Sequence, residues 1–177
     1  PLKSQATVIF RVSAHALEFG SEAGVIALDF DTGAEQLLIG PPPQKRQCLR
    51  SNDGCYLSDG RYLMGFMHRS DPSVNPGQLF YYCGDAWHLI DDEIAIPNTF
   101  LEISGDEFLI SDSLLGVVWK YQLDLRGRLV GKTSWMEFDG CTPDGGCVHQ
   151  GYAFIALWDG GCVCRINLMS KERTDYT

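Results

Sequence analysis

The sequence predicts an all-β chain of the β-propeller kind. Short runs rich in Val, Ile, Phe, Tyr and Trp recur about every ten residues, bounded by Gly, Asp, Asn or Pro. No amphipathic pattern with the helical period lasts long enough for a helix. A polar residue followed by such runs returns at Asn52, Asn98 and Asp144, 46 residues apart each time. A repeat of this length with several strands is typical of a propeller blade.

Three segments carry the repeat most clearly, and each is predicted to begin with an Asx turn and to continue into an apolar strand. They are RSNDGCYLSDGRYLMGFM, IPNTFLEISGDEFLISDS and CTPDGGCVHQGYAFIALWDG. The strands predicted in these units are 61–67, 78–82 and 86–90, then 107–112, 116–123 and 129–138, then 152–158 and 162–167. The segment HRSDPSVNPG contains two prolines and is predicted to be a surface insertion.

A first unit precedes these three. Its predicted strands are 6–12, 24–30 and 34–39, with Asp31-Thr32-Gly33 as a hairpin turn. It has no Asx residue at the equivalent point, and the last unit is predicted to stop at Thr177, short of its outer strand. We therefore predict a single, partial β-propeller domain over residues 1–177, with about three and a half to four four-stranded blades.

Charge and hydropathy exclude several classes of partner. Fourteen basic and twenty-three acidic residues give a net charge of −9, and the basic residues are scattered, so nucleic acid is not expected to bind. No stretch approaches the roughly 20 apolar residues of a membrane span. The N-terminus also lacks the pattern of a signal peptide, so a cytoplasmic protein without a membrane partner is expected.

The cysteine, tryptophan and histidine residues give weaker signals. Seven cysteines without a C-x-x-C pair argue against a disulfide framework or a zinc ribbon, and most are expected to be buried thiols. The four tryptophans are expected in the blade core rather than in a sugar-stacking platform. The four histidines have no common spacing, and no catalytic role is assigned to them. The tryptophans are Trp87, Trp119, Trp135 and Trp158.

The repeated polar residues form the candidate site. Equivalent positions of successive blades ring the central channel of a propeller, so Asn52, Asn98 and Asp144 are expected to face one another at one mouth. A simpler explanation is that Asn and Asp favour turns, because their side chains bond their own backbone. The spacing alone leaves both explanations open.

Four motifs, in order, resemble those of the regucalcin (senescence marker protein), gluconolactonase and luciferin-regenerating family. They are RSNDG from Arg50, the Asn98 turn followed by FLISDS, PDG around Asp144, and ALWDGGCVCR from Ala156. The similarity runs from about residue 16 to residue 168. The resemblance implies a normally six-bladed propeller, here without its first and last blades. Members hold one divalent cation in the channel and hydrolyse sugar lactones or related esters.

Residue roles follow from the resemblance. It implies that Asn98 and Asp144 are metal ligands, with calcium as the foremost candidate and zinc or manganese as alternatives. It implies that Arg50 and Asn52 contact a small-molecule substrate. Asp144 would also be the catalytic base, since it is the carboxylate nearest the attacking water. Arg50 would hold a substrate oxygen or stabilise the oxyanion.

Two departures from the family pattern weaken the expected metal site. The family's first-blade Glu ligand has no counterpart here, because Glu18 and Glu22 fall near a later strand and its turn. After the predicted strand that ends at Met67, family members carry a carboxylate, whereas this chain has His68-Arg69-Ser70. Fewer ligand charges lower the affinity for a divalent cation.

The sequence leaves several functions open. The first is a metal-dependent hydrolase of lactones or related esters. The alternative is a non-catalytic truncated propeller that binds a small molecule or a protein, and a third is a piece of a longer enzyme. Open blade faces would expose apolar surface and unpaired strand edges, so a homodimer is expected.

Overall fold

The computed structural model describes residues 2–124 and 126–177. Within these residues the chain forms sixteen strands and no helix. The strands make four sheets of four antiparallel strands each, and within each sheet the strands follow one another in chain order. Each sheet is one propeller blade, so the β-propeller prediction is confirmed.

The strands are numbered along the chain. Blade 1 contains β1 (Val8–Val12), β2 (Ala16–Ser21), β3 (Gly24–Asp29) and β4 (Glu35–Ile39). Blade 2 contains β5 (Leu49–Tyr56), β6 (Tyr62–His68), β7 (Gln78–Cys83) and β8 (Ala86–Asp91). Blade 3 contains β9 (Pro97–Ser104), β10 (Glu107–Asp112), β11 (Val117–Leu123) and β12 (Leu129–Glu137). Blade 4 contains β13 (Pro143–His149), β14 (Tyr152–Leu157), β15 (Cys162–Asn167) and β16 (Arg173–Tyr176).

The first strand of each blade lies beside the first strand of the next. β1 packs near β5, β5 near β9, and β9 near β13, so these four inner strands converge on the channel. Each inner strand begins at the end of the channel where the hairpins β2–β3, β6–β7, β10–β11 and β14–β15 turn. This end is called the site end below.

Three apolar cores lie between neighbouring blades. Blades 1 and 2 bury Val25 against Met64 and Phe66, and similar layers join blade 2 to blade 3 and blade 3 to blade 4. A strand alternates its side chains between two faces, and blade 2 has a neighbour on each side. Both faces of β6 and β7 are therefore covered, which explains why residues 62–66 and 78–81 are buried without interruption.

Three details differ from the predictions. The last blade has its outer strand, because β16 pairs with β15. The first blade contains a further strand, β2, between two of the predicted strands. Asn52, Asn98 and Asp144 lie within β5, β9 and β13, not in turns that precede a strand. Backbone pairing with the second strand of each blade holds these segments extended, although turn residues are common in them.

The two terminal blades have apolar side chains on their surface. Ile9 and Leu37 are exposed in blade 1, and Val163 and Tyr176 are exposed in blade 4. The homodimer that such surfaces suggest stays a prediction. In residues 2–124 and 126–177, no helix has the length and apolar character needed to cross a membrane.

The cysteines confirm a smaller expectation only in part. All seven are free, and Cys164 alone among them is buried, whereas Cys48 and Cys147 are exposed. The other four are partly buried and pack against the apolar cores, so most of the cysteines are core-packing thiols, as predicted, but only one is fully buried.

Candidate functional site

A β-bulge lies near the start of three inner strands. In each case an advance of three residues along the inner strand faces an advance of two residues along the second strand, so one extra residue bends the inner strand. The irregular stretches are residues 51–54, 98–101 and 143–146. Asn52, Asn98 and Asp144 lie in or at the edge of these stretches, and bulges commonly re-aim side chains next to functional sites. In β1 the irregularity falls later, between Ile9 and Arg11.

The three repeated residues meet across the blades. The Asn98 side-chain amide donates a hydrogen bond to the Asp144 carboxylate. The Asn52 amide donates to the backbone carbonyl of Pro97, 3.1 Å away, next to Asn98. The expected convergence on one mouth is therefore present, and these contacts join blades 2, 3 and 4.

Thr99 holds the centre of this arrangement in a strained conformation. It is fully buried with a φ of 53°, a left-handed value that is rare for a β-branched residue. Its hydroxyl donates to the backbone carbonyl of Asp144 and accepts a hydrogen bond from Ser111, 3.0 Å away. Its N–H donates to the Asn98 side-chain oxygen at 3.2 Å. Strain of this kind persists where surrounding contacts over-determine it, and it clusters at functional sites.

Arg50 lies at the rim of the same site. Its guanidinium donates to the Asn52 side-chain oxygen at 3.1 Å and to the backbone carbonyl of Ser51 at 3.0 Å. These bonds use one guanidinium nitrogen and leave donors on the other nitrogens for a ligand. Arg50 and Asn52 are thus positioned together, and their contact with a substrate stays a prediction.

Asp53 is a site residue that sequence reasoning missed. Burial raises the pKa of its carboxyl to about 6, and the negative charge of Asp144 adds to the rise, although N–H groups of Gly54 and Thr99 oppose it. Among the ion pairs of the described residues, none includes Asp53 or Asp144. The only sequence signal was its place beside Asn52 in the RSNDG motif.

Two adjoining cavities open around these residues. The channel cavity, about 220 Å³, is lined by Thr7, Asn52, Asp53, Asn98, Asp144 and Gly145. The mouth cavity, about 320 Å³, is lined by Arg50, Asn52, Met67, Ile96, Asn98, Ser113, Thr142, Asp144 and Trp158. Three residues, Asn52, Asn98 and Asp144, belong to both linings. A ligand in the mouth cavity would therefore contact the same side chains that face the channel cavity.

Trp158 corrects the expectation that all four tryptophans lie in the blade core. Trp87 and Trp135 are buried, and Trp119 packs against the core between blades 2 and 3. Trp158 is 79% exposed and lies in the β14–β15 turn at the mouth cavity. The local sequence does not distinguish it from a core residue, because it directly follows the apolar run of β14.

The residues at the family departures have partners elsewhere. Glu18 accepts a hydrogen bond from the Tyr62 hydroxyl at 3.0 Å. Glu22 forms an ion pair with Arg69. Neither glutamate lines the channel cavity, where the first blade contributes Thr7. His68 pairs with Leu49 in the blade 2 sheet.

The donor set of the channel cavity suits a hard divalent cation. No group of three or more His, Cys, Asp or Glu side chains that could hold a metal ion occurs in the described parts of the chain. The cavity instead combines carboxylates of Asp53 and Asp144 with amides of Asn52 and Asn98. Oxygen ligands of these two kinds are those that calcium prefers.

These features define a class: a β-propeller with a polar site at one mouth of its channel, built from equivalent positions of successive blades. The particular family follows from its sequence model. The chain belongs to the SMP-30/gluconolactonase/LRE-like family, whose model matches residues 1–177. A search of the curated proteins finds no match.

Several solved structures have the same fold. One is the calcium-binding protein regucalcin from Agrobacterium tumefaciens, with a TM-score of 0.83 and 20% identity over 98% of this chain and 60% of that one. A luciferin-regenerating enzyme has a TM-score of 0.80 and 16% identity, over 98% of this chain and 64% of that one. A gluconolactonase from Xanthomonas campestris has a TM-score of 0.70 and 17% identity, over 91% of this chain and 57% of that one. This chain therefore spans less than two thirds of the length of these proteins.

Proposed function

We propose that this chain carries the substrate and cation site of a lactone hydrolase that uses a divalent cation, calcium foremost. The convergence of Arg50, Asn52, Asn98 and Asp144 on two adjoining cavities carries the proposal. Support also comes from family membership and from the presence of a calcium-binding regucalcin and a gluconolactonase among the similar folds.

The cation would be held by the oxygens of Asn98 and Asp144, with Asp53 as a further carboxylate at the same cavity. Rotation of the Asn98 amide about its last side-chain bond would present its oxygen, since the nitrogen now donates to Asp144. When bound, such a cation polarises a carbonyl and acidifies a water molecule. The first blade contributes the uncharged Thr7 to this cavity instead of a glutamate. Asp53 would therefore be the second carboxylate, after Asp144, among the proposed cation ligands.

In the proposed reaction, Asp144 accepts a proton from water while the water oxygen forms a bond to the lactone carbonyl carbon. The bond between that carbon and the ring oxygen then breaks. The proton passes from Asp144 to the departing ring oxygen, and the product is an open-chain hydroxy acid. One water is consumed for each ring opened.

Arg50 would stabilise the negative charge that develops on the carbonyl oxygen. Its guanidinium is oriented by the Asn52 side chain and the Ser51 carbonyl, so the charge is aimed before substrate arrives. Asn52 itself is held by Pro97 of the next blade. Both residues would therefore contact substrate from a fixed position.

The test combines cation binding with turnover. Calorimetric titration with calcium, zinc and manganese should give binding to the wild-type chain and strongly reduced binding to Asn98→Ala. Hydrolysis of D-glucono-1,5-lactone and 3,4-dihydrocoumarin, followed by acid release, should depend on the cation. The absence of any cation binding would overturn the proposal. Cation binding without hydrolysis of either lactone would favour a non-catalytic binding propeller instead.

A further inference from the structure

Trp158 is an aromatic side chain exposed at the mouth of the proposed site. It is 79% exposed, although a tryptophan carries one of the largest apolar surfaces of any residue. Large exposed aromatics beside a cavity are typical of binding surfaces. Trp158 follows β14 directly, and it lines the mouth cavity together with Asp144.

The backbone of Trp158 is fixed relative to Asp144. Its N–H donates to the carbonyl of Thr142, 3.0 Å away and two residues before Asp144. The Asp159 carboxylate in turn accepts the N–H of Thr142 at 2.8 Å and its hydroxyl at 3.0 Å. Three hydrogen bonds thus join the β14–β15 turn to the start of β13. The turn itself is completed by Gly161, which has a φ of 63°.

The mouth cavity combines apolar walls with few charged groups. Met67, Ile96 and Trp158 provide apolar surface, and among the lining residues Arg50 and Asp144 carry the charges. Both charged residues are assigned to the reaction in the proposed function. The remaining lining side chains are polar and uncharged, and each already donates a hydrogen bond to a protein acceptor: Asn52 to Pro97, Asn98 to Asp144, Ser113 to Pro143 and Thr142 to Asp159.

The segment after Met67 adds no polar or charged side chain to the mouth cavity. It carries His68-Arg69-Ser70, and Arg69 pairs with Glu22 of blade 1. Neither Arg69 nor Ser70 lines the mouth cavity. Blade 2 therefore contributes the apolar Met67 to the cavity lining, together with Arg50 and Asn52.

We propose that the mouth cavity selects lactones with an apolar or aromatic ring system, and that Trp158 is the specificity residue that stacks on the face of that ring. The inference rests on the proposed lactone hydrolysis and adds the class of substrate. Stacking places the ring against Met67, Ile96 and Trp158, while the carbonyl points to Arg50 and Asp144. A polyhydroxylated ring would lose hydrogen bonds to water at these apolar walls without replacing them.

The kinetic test compares two six-membered lactones of opposite polarity. The wild-type chain should show a higher kcat/KM for 3,4-dihydrocoumarin than for D-glucono-1,5-lactone. Trp158→Ala should lower kcat/KM for dihydrocoumarin about tenfold, mainly through KM, because stacking binds substrate and transition state alike. The value for gluconolactone should change less than about twofold. Trp158→Phe should retain most of the wild-type activity.

Leu115→Ala is the matched control. Leu115 is an exposed apolar residue of the neighbouring β10–β11 turn, and it lines a different cavity with Gly116 and Phe138. This variant should leave both kcat/KM values unchanged. A general loss of surface hydrophobicity would instead affect Leu115→Ala and Trp158→Ala equally, and that result would overturn the assignment.

Binding without turnover separates this inference from the proposed function. Dihydrocoumarin is titrated calorimetrically into Asp144→Asn, with and without Trp158→Ala. The second substitution should weaken binding about tenfold. If no lactone is hydrolysed by the wild-type chain, the proposed function fails while this titration still decides the role of Trp158. Equal affinity of the two variants, or preference of the wild-type chain for gluconolactone, would overturn the inference.

Discussion

The two faces of the propeller both have a cavity lined by aspartates, but these aspartates differ in their partners. At the end opposite the site, a cavity of about 540 Å³ is lined by Asp59, Asp106, Asp124 and Arg61, among others. Asp59 pairs with Arg61, and Asp124 pairs with Arg128. At the site end, Asp53 and Asp144 face each other across a smaller cavity, and no ion pair of the described residues includes either.

The pKa values follow this difference. A hydrogen bond from Arg61 is the main cause that lowers the pKa of Asp59, and backbone and side-chain hydrogen bonds from Arg128 lower the pKa of Asp124. Burial raises the pKa of Asp53. Two of the three aspartates that line the larger cavity, Asp59 and Asp124, are in ion pairs, whereas neither aspartate of the channel cavity is in an ion pair of the described residues. Unneutralised carboxylates beside one another are the better indicator of a functional site.

The strongest test of this comparison removes one carboxylate from each end. Asp144→Asn should reduce lactone hydrolysis by at least about 100-fold, since it removes the proposed base while keeping the shape. Asp59→Asn should leave hydrolysis within about twofold, because Asp59 only neutralises Arg61. Initial rates at saturating calcium provide the measurement. Similar losses in both variants would show that the two ends do not differ in function.

A second test concerns a carboxylate at the site end that has a structural role. Asp112 is buried and accepts backbone N–H bonds from Ala95 at 2.7 Å, Ile96 at 3.3 Å and Leu114 at 3.1 Å. Asp112→Ala should lower the free energy of unfolding by about 3 kcal/mol, because buried donors lose their acceptor. Urea denaturation measures this. Asp106→Ala, in an exposed turn of the same blade, is the control and should lower the free energy of unfolding much less.

The contribution of Asp53 to cation binding provides a third test. Asp53→Asn should weaken calcium binding about tenfold, since affinity depends on the number of ligand charges. The rise in Tm caused by calcium should shrink accordingly. Asp106→Asn removes the same charge at the other end and should leave the calcium-induced rise unchanged. Equal calcium affinity in wild type and Asp53→Asn would exclude Asp53 from the cation site.

The last test is the pH dependence of stability in the presence of a chelator. Asp53 has a pKa of about 6 in the folded chain and an ordinary value of 3.8, so the folded state holds its proton more tightly. The stability that this bound proton contributes is complete below pH 3.8 and is lost as the pH rises through about 6. Across this range the wild type should lose roughly 2–3 kcal/mol of unfolding free energy relative to Asp53→Asn. Parallel pH profiles of the two chains would contradict the raised pKa.

Much of the fold could be predicted from sequence because it depends on local pattern. Alternating apolar runs bounded by turn residues locate most strands, and the recurrence of Asn52, Asn98 and Asp144 gives the blade period. β16 escaped detection because Arg173–Tyr176 is short, exposed and polar, and it is defined only by pairing with β15. An edge strand has no buried face to impose an alternating pattern.

The candidate site was likewise predicted from sequence in part, and the rest of it depends on the tertiary structure. The sequence by itself determined the blade repeat and the convergence of Asn52, Asn98 and Asp144, since equivalent positions of successive blades must face one channel, whereas Arg50 was named from the family resemblance. Only the tertiary structure decided that Asp53 faces Asp144 and that Trp158 lies at the mouth instead of in the core. The physical reason is that bulges and inter-blade packing set the direction of each side chain. These depend on contacts between residues far apart in the chain.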